Sequence, residues 1–250
     1  MLIDTHCHIS DEDYDNKEEI IKHMEDNIMI VSTASPKDIK EVINICEKYK
    51  NIYGTIGIHP EFADTYKEDD IKQIKKYIKH PKIVGIGEIG LDYHYTKENK
   101  EKQKELFIKQ IKIANKYNKT IVIHSRDAIE DTYNIIKEYS KVKCNMHCFS
   151  GSLEMAERFI KLGVKLGIGG VLTFKNEKKL KEIVTALDIH NFILETDSPY
   201  LTPEPLRGHK NEPINVKYVA TKISQLKGIS YAKTVEITSQ TAINQFDLKL

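Results

Sequence analysis

Thr120-Ile121-Val122-Ile123-His124, an amphipathic run over residues 128–139, and then Cys144-Asn145-Met146-His147 read as a strand, a helix and the next strand, with a histidine closing each strand. The runs are short and mostly apolar, as strands of a parallel sheet buried on both faces should be. The run between them places apolar residues three and four apart, the spacing of one helical face. Working outward in both directions, the same alternation recurs from end to end. Candidate strands fall at residues 2–5, 28–32, 52–58, 83–87, 120–123, 144–146, 164–167 and 192–195, the seventh being the weakest. Candidate helices fall at 36–50, 69–79, 97–117, 128–139, 152–162 and 177–186, and the tail from 213 to 226 and from 230 onward supplies the last ones. Eight βα units in 250 residues predict an α/β fold of the (β/α)8 TIM-barrel class, one domain over residues 1–250, with no linker or repeat to divide it.

Composition narrows the function classes. Hydrophobic residues at 40% and charged residues at 30% describe a globular chain, not a disordered or fibrous one. No apolar run approaches a membrane span and the start has no basic leader, so a cytoplasmic protein is expected. Cys7, Cys46, Cys144 and Cys148 sit in apolar or motif surroundings and are read as free thiols of a reducing compartment. Lys+Arg 38 against Asp+Glu 37 leaves a net charge of +1, far from the basic balance of a protein that holds duplex DNA by general phosphate neutralisation. Any polyanion must therefore be gripped locally. Only Arg126, Arg158 and Arg207 are arginines, and the first and last fall in loops near the residues singled out below.

In a barrel of this class the chemistry sits where strands end. His6 and His8 follow the first strand, His59 the third, Glu88 closes the fourth, His124 follows the fifth, His147 the sixth and Asp197 the eighth. Five imidazoles and two carboxylates delivered to one rim are costly to desolvate without a cation among them, so a metal site is predicted. His6 and His8, two apart on extended chain, point to one side and Cys7 to the other. The same parity sets Cys144, Met146 and Cys148 opposite His147 as packing residues. His23, His80, His94, His190 and His209 are assigned no metal.

Seven motifs then stand in order: Asp4-Thr5-His6-Cys7-His8, Gly57-Ile58-His59-Pro60, Gly85-Ile86-Gly87-Glu88-Ile89-Gly90-Leu91-Asp92, His124-Ser125-Arg126, His147-Cys148-Phe149-Ser150-Gly151, Glu195-Thr196-Asp197-Ser198-Pro199 and Arg207-Gly208-His209-Lys210-Asn211-Glu212-Pro213. Across essentially the whole chain these resemble the TatD-type metal-dependent deoxyribonucleases of the amidohydrolase superfamily. The resemblance implies a dinuclear site, with His6, His8 and Asp197 on one divalent ion, His124 and His147 on the other, and Glu88 bridging them. Amidohydrolases of the carbamate type carry a lysine near this place, and 85–90 contains none.

The function expected is hydrolysis of nucleic-acid phosphodiesters by attack of a metal-bound hydroxide, as a 3'-5' exodeoxyribonuclease on single-stranded or frayed DNA ends, with RNA as an alternative substrate. Asp197 orients the water and accepts its proton, with Glu88 as the other catalytic carboxylate. His59, Arg126 and Arg207 are the candidate substrate contacts, a guanidinium matching phosphate in bidentate geometry. Asp92 is read as support for the ligands, and Tyr93 and Tyr95 as candidate base-stacking rings. Mixed imidazole and carboxylate donors suit Zn²⁺, Mn²⁺ or Co²⁺ better than Mg²⁺, which abundance admits. A monomer is expected. The rival readings are an amide, ester or lactone hydrolase on the same fold and a non-catalytic nucleic-acid or metal-binding protein. Turnover of a phosphodiester against an amide or lactone separates the first.

Overall fold

The structure, a computed structural model, describes residues 1–33, 35–94 and 98–250. Its strands are β1 (Ile3–Cys7), β2 (Ile28–Ser32), β3 (Ile52–Thr55), β4 (Ile83–Asp92), β5 (Thr120–Arg126), β6 (Cys144–Met146), β7 (Lys165–Ile168) and β8 (Phe192–Leu194). The helices are α1 (Lys17–Lys22), α2 (Ile39–Lys48), α3 (Glu68–Tyr77), α4 (Lys100–Tyr117), α5 (Ile129–Tyr139), α6 (Leu153–Lys161), α7 (Lys179–Ala186), α8 (Val216–Lys227) and α9 (Tyr231–Phe246). Parallel strands in sequence order, each followed by helical chain, make this the (β/α)8 barrel class that the sequence pattern predicts. Internal packing divides the chain into two compact units, Ser32–His147 and a second made of Met1–Val31 with Cys148–Leu250.

In the unit Ser32–His147, β3, β4, β5 and β6 lie side by side in that order. Its central strand residues Ile83, Ile86, Ile121, Val122 and Ile123 are fully buried. The turn before α2 is set locally: the Ser35 hydroxyl accepts the Lys37 N–H, Asp38 accepts the Ser35 N–H, and Pro36 opens the turn. Helix α2 then buries Ile39, Val42, Ile43, Ile45 and Cys46. Two buried glutamines seven residues apart on one face of α4 clamp backbone near the functional ends. Gln110 Oε1 accepts Ile58 N–H and its Nε2 donates to Ile58 C=O, while Gln103 does the same for Asp92. These bonds satisfy the backbone of Ile58, beyond the end of β3, and of Asp92, where β4 no longer has β3 paired beside it.

In the other unit β1 pairs with β2 and β7 with β8, and the first strand meets the last. Asp197 N–H donates to His6 C=O, His8 N–H to Ser198 C=O, and Cys7 bridges Ser198 in parallel. A first strand beside the eighth is what closure of an eight-strand barrel requires. Asp4, wholly buried, holds this seam by accepting His6 N–H, Thr196 N–H and the Thr196 hydroxyl. Burial pushes the Asp4 carboxyl well above its ordinary value, against the pull of these bonds.

The strand bounds differ from the sequence pattern where the motifs lie. Strands β1 and β5 run on through His6 and His124, and β4 continues to Asp92, so Glu88 stands in mid-strand and not at its end. A register shift between Ile86 and Ile89 accounts for this, because a bulge re-aims a side chain without ending the strand. Glycine in this strand marks a close approach between backbones. A Cβ at Gly90, whose φ is +152°, would meet the His124 carbonyl oxygen at 1.9 Å.

Candidate metal-binding clusters

Six of the nine predicted site residues fall into two donor clusters, one in each unit. In the unit that carries both termini, β1 supplies His6 and His8 and the turn after β8 supplies Asp197. His6 Nε2 and His8 Nε2 face each other at 3.3 Å, and Asp197 Oδ1 lies 3.8 Å from the first and 3.6 Å from the second. His6 and His8 are buried and Asp197 nearly so. Two imidazole nitrogens and a carboxylate oxygen pointed at one small volume, away from bulk water, are the donor set of a divalent cation. Asp197 reaches this point with φ +56°, a left-handed conformation that aspartate tolerates better than bulkier residues.

In the unit Ser32–His147 the centre is Glu88. His124 Nδ1 lies 2.8 Å from Glu88 Oε1, His124 Nε2 lies 2.9 Å from Asp92 Oδ2, and His147 Nε2 lies 3.7 Å from Glu88 Oε1. Ionised carboxylates only accept, so both ring nitrogens of His124 must carry protons and the ring is an imidazolium. Burial opposes this charge, but Glu88 and the bonds to Asp92 and Glu88 outweigh it and raise the His124 pKa to about 9. Burial likewise pushes Asp92 up, yet hydrogen bonds from His124 and from His94 N–H leave its carboxyl below the ordinary range. Glu88 and the His124 nitrogen that faces it could hold a cation once that nitrogen is deprotonated, with Asp92 keeping the other nitrogen protonated. This donor set also fits a divalent ion.

The predicted substrate contacts are more dispersed. His59 stands edge-on to His124, ring centroids 4.5 Å apart, and its Nδ1 meets Glu61 Oε2 at 3.2 Å. Arg126 is the exposed last residue of β5. Arg207 is exposed with its guanidinium 4.1 Å over the Phe174 ring and one N–H reaching Thr202 C=O at 3.4 Å. The loop 207–213 is held by another residue. Buried Asn211 donates to the carbonyls of Thr196 and Tyr200 and accepts from Glu212 N–H and Asn215.

Two expectations change, and one residue is added. Tyr93 is buried, its hydroxyl donates to Asp131, and Lys100 covers its ring, so it is no stacking surface; Tyr95 lies outside the described residues. Cys148 does not keep the strand parity. Strand β6 ends at Met146, Cys148 turns to φ +43°, and its Sγ comes within 4.8 Å of an Asp197 carboxylate oxygen. Buried Glu195 holds that turn by accepting Cys148 N–H at 2.5 Å, in a space that a Cβ at Gly167 would fill. Tyr200 was missed. Among the few exposed large hydrophobics, at 58% exposure, its ring lies edge-on to His8 with centroids 6.3 Å apart. Its place one residue past Asp197-Ser198-Pro199 was the available signal.

Among the described residues no helix is long and apolar enough to cross a membrane. A family model described as TatD related DNase matches residues 3–247. The chain is 42% identical to the uncharacterized metal-dependent hydrolase YabD of Bacillus subtilis, covering 98% of this chain and 99% of that protein. It is 31% identical to the uncharacterized metal-dependent hydrolase YcfH of Escherichia coli K12, over 99% and 96% of the two chains. Among solved structures, the TatD homolog YJJV of Escherichia coli K12 superposes with a TM-score of 0.90 at 26% identity, over 99% and 98% of the chains. A TatD-family hydrolase from Entamoeba histolytica reaches 0.85 at 23% identity over 98% and 97%, a likeness of fold.

Proposed function

The chain belongs to the TatD-related DNase family and is a metal-dependent hydrolase, and on that premise we propose that it cleaves phosphodiester bonds of nucleic acid, removing nucleotides from the 3' end of single-stranded or frayed DNA. The observation that carries the reading is the convergence of His6 Nε2, His8 Nε2 and Asp197 Oδ1 on one buried point. Divalent ions bound by such donors acidify water and offset charge on phosphoryl oxygens. His6, His8 and Asp197 would hold one ion, and Glu88, His124 and His147 would hold a second.

The protein's own groups then have distinct tasks. Asp197 accepts the proton of the attacking water at a carboxylate oxygen and orients the remaining lone pair, since it is the only carboxylate of its donor set. Asp92 fixes the tautomer of His124 by accepting a hydrogen bond from its Nε2–H, leaving Nδ1 to act as a ligand. Glu88, buried, supplies the negative charge that a second ion requires. Arg207 is pre-oriented by its stack on Phe174, so it loses little freedom on gripping a phosphate. Arg126 and His59 offer further donors to phosphate oxygens. RNA with a free 3' end meets the same groups, and the near-neutral net charge suits contact with a strand end better than with a long duplex.

The test is a time course on 3'-labelled and 5'-labelled DNA, single-stranded and duplex, with Mn²⁺, Mg²⁺ or Zn²⁺ supplied in turn. Label at the 3' end should be released first, as mononucleotide, and closed circular DNA should resist. Intact DNA with every metal, alongside turnover of an amide or lactone by the same preparation, would replace this reading with the amidohydrolase one.

A further inference from the structure

The unit that carries His6, His8 and Asp197 also contains a cavity of about 200 Å³ that the chemistry above does not use. Its walls are Phe149, Val171, Leu180 and Leu201, with Cys148 on the same lining and Glu177 and Lys179 as its charged groups. Cys148 links cavity to chemistry, because its Sγ is within 4.8 Å of an Asp197 oxygen. A second link is the turn Gly170–Thr173. It presents Val171 to the cavity, and the next residue, Phe174, carries the guanidinium of Arg207. The walls are braced. A Cβ at Gly170 would lie 2.2 Å from the Leu201 carbonyl oxygen, and the Thr173 hydroxyl accepts Glu204 N–H while donating to Gly170 C=O.

We propose that this cavity receives the nucleobase adjoining the scissile phosphodiester, a proposal that rests on the nucleic-acid reading above. Its volume is below the roughly 300–1,000 Å³ of sites for drug-sized ligands, which suits one heterocycle and not a whole nucleotide. Apolar walls favour a flat π-system, and base stacking on such surfaces is tolerant of sequence. A phosphate is a poor occupant, because it would lose its hydration against apolar walls that offer it no donor, while Glu177 offsets the charge of the exposed Lys179 at the edge of the lining. With the base in the cavity, its phosphate lies toward Asp197 on one side and the Arg207–Phe174 stack on the other.

Thiol chemistry reads occupancy without any turnover. Cys7, Cys46 and Cys144 are buried and only Cys148 is partly exposed, so the native chain should show one fast-reacting thiol toward an aromatic disulfide reagent, lost in Cys148→Ser. Thymidine at ten times its dissociation constant should slow that reaction about tenfold by mass action. 2-Deoxyribose 5-phosphate and inorganic phosphate should leave it unchanged. Val171→Phe, which fills the cavity from a half-buried position, should abolish the thymidine effect. It should also raise KM for DNA ending in a normal nucleotide while sparing DNA that ends in an abasic one. Equal slowing by the sugar phosphate and the nucleoside, or none by either, overturns the proposal. If Val171→Phe does not fold, the native-chain comparison decides alone. Thymidine protection in a preparation that cleaves no DNA would keep the base pocket while removing the nuclease reading.

Discussion

Raising the pH should tighten metal binding at the Glu88 cluster and loosen the metal-free fold, and the two trends have one cause. His124 is held as an imidazolium by Glu88 and Asp92, with its pKa raised to about 9. A metal can take the Glu88-facing nitrogen only after that proton leaves. At pH 7 the proton is bound about a hundredfold over its loss, a handicap of about 3 kcal/mol on metal affinity. Apparent affinity should therefore rise roughly tenfold per pH unit from about pH 6.5 to 8.5, with close to one proton released per ion. The fold responds in the opposite sense. A group whose folded pKa lies above its unfolded value of about 6.5 contributes stability that is complete below 6.5 and lost as pH climbs through about 9. Metal-free protein should accordingly lose about 3 kcal/mol across that window, apart from other titrations. Calorimetric titration with Mn²⁺ or Zn²⁺ in buffers of different ionisation enthalpy counts the protons, and urea melts of chelator-treated protein measure the stability. Affinity that stays flat between pH 6.5 and 8.5 with no proton released would mean that His124 is neutral or takes no part, and the reasoning from its two carboxylate partners would fail.

Other perturbations separate roles. Asp197→Asn should cut kcat by about 10² or more, the usual scale for a proton acceptor, while DNA affinity stays within a few-fold of the parent in a gel-shift assay. Arg207→Ala should raise KM about tenfold with kcat and metal content unchanged, since a phosphate contact made before the reaction supplies uniform binding. Turnover lost in proportion to KM would instead place Arg207 at the reacting phosphoryl group. Gly90→Ala should cost about 3 kcal/mol and lower Tm by about 9 °C, because the new Cβ meets the His124 carbonyl and must push β5 away. A melt unchanged from the parent would contradict that contact.

The order of strands and helices was legible in the sequence because it depends on local pattern: short apolar runs, then apolar residues at helical spacing. The predicted strand bounds fell short at Glu88, His6 and His124, since the motifs replace apolar residues with polar ones that remain in the sheet, and overran at the third strand, which ends at Thr55 and not at 58. Donor identity was legible too. A histidine or carboxylate beside an apolar strand run is a chain-local fact, and His6 and His8 share a face because extended chain alternates. Pairing was not. That His124 is pinned between Glu88 and Asp92 depends on the β4 bulge and on the close approach at Gly90, which only the neighbouring strand creates. Parity likewise misplaced Cys148, because its conformation is set by the Glu195 carboxylate, 47 residues away in the chain. Sequence by itself determined which chemical groups the barrel carries and in what order. Tertiary structure alone decided which atoms face one another, because hydrogen-bond geometry, burial and the room left by a missing Cβ are properties of strands brought together.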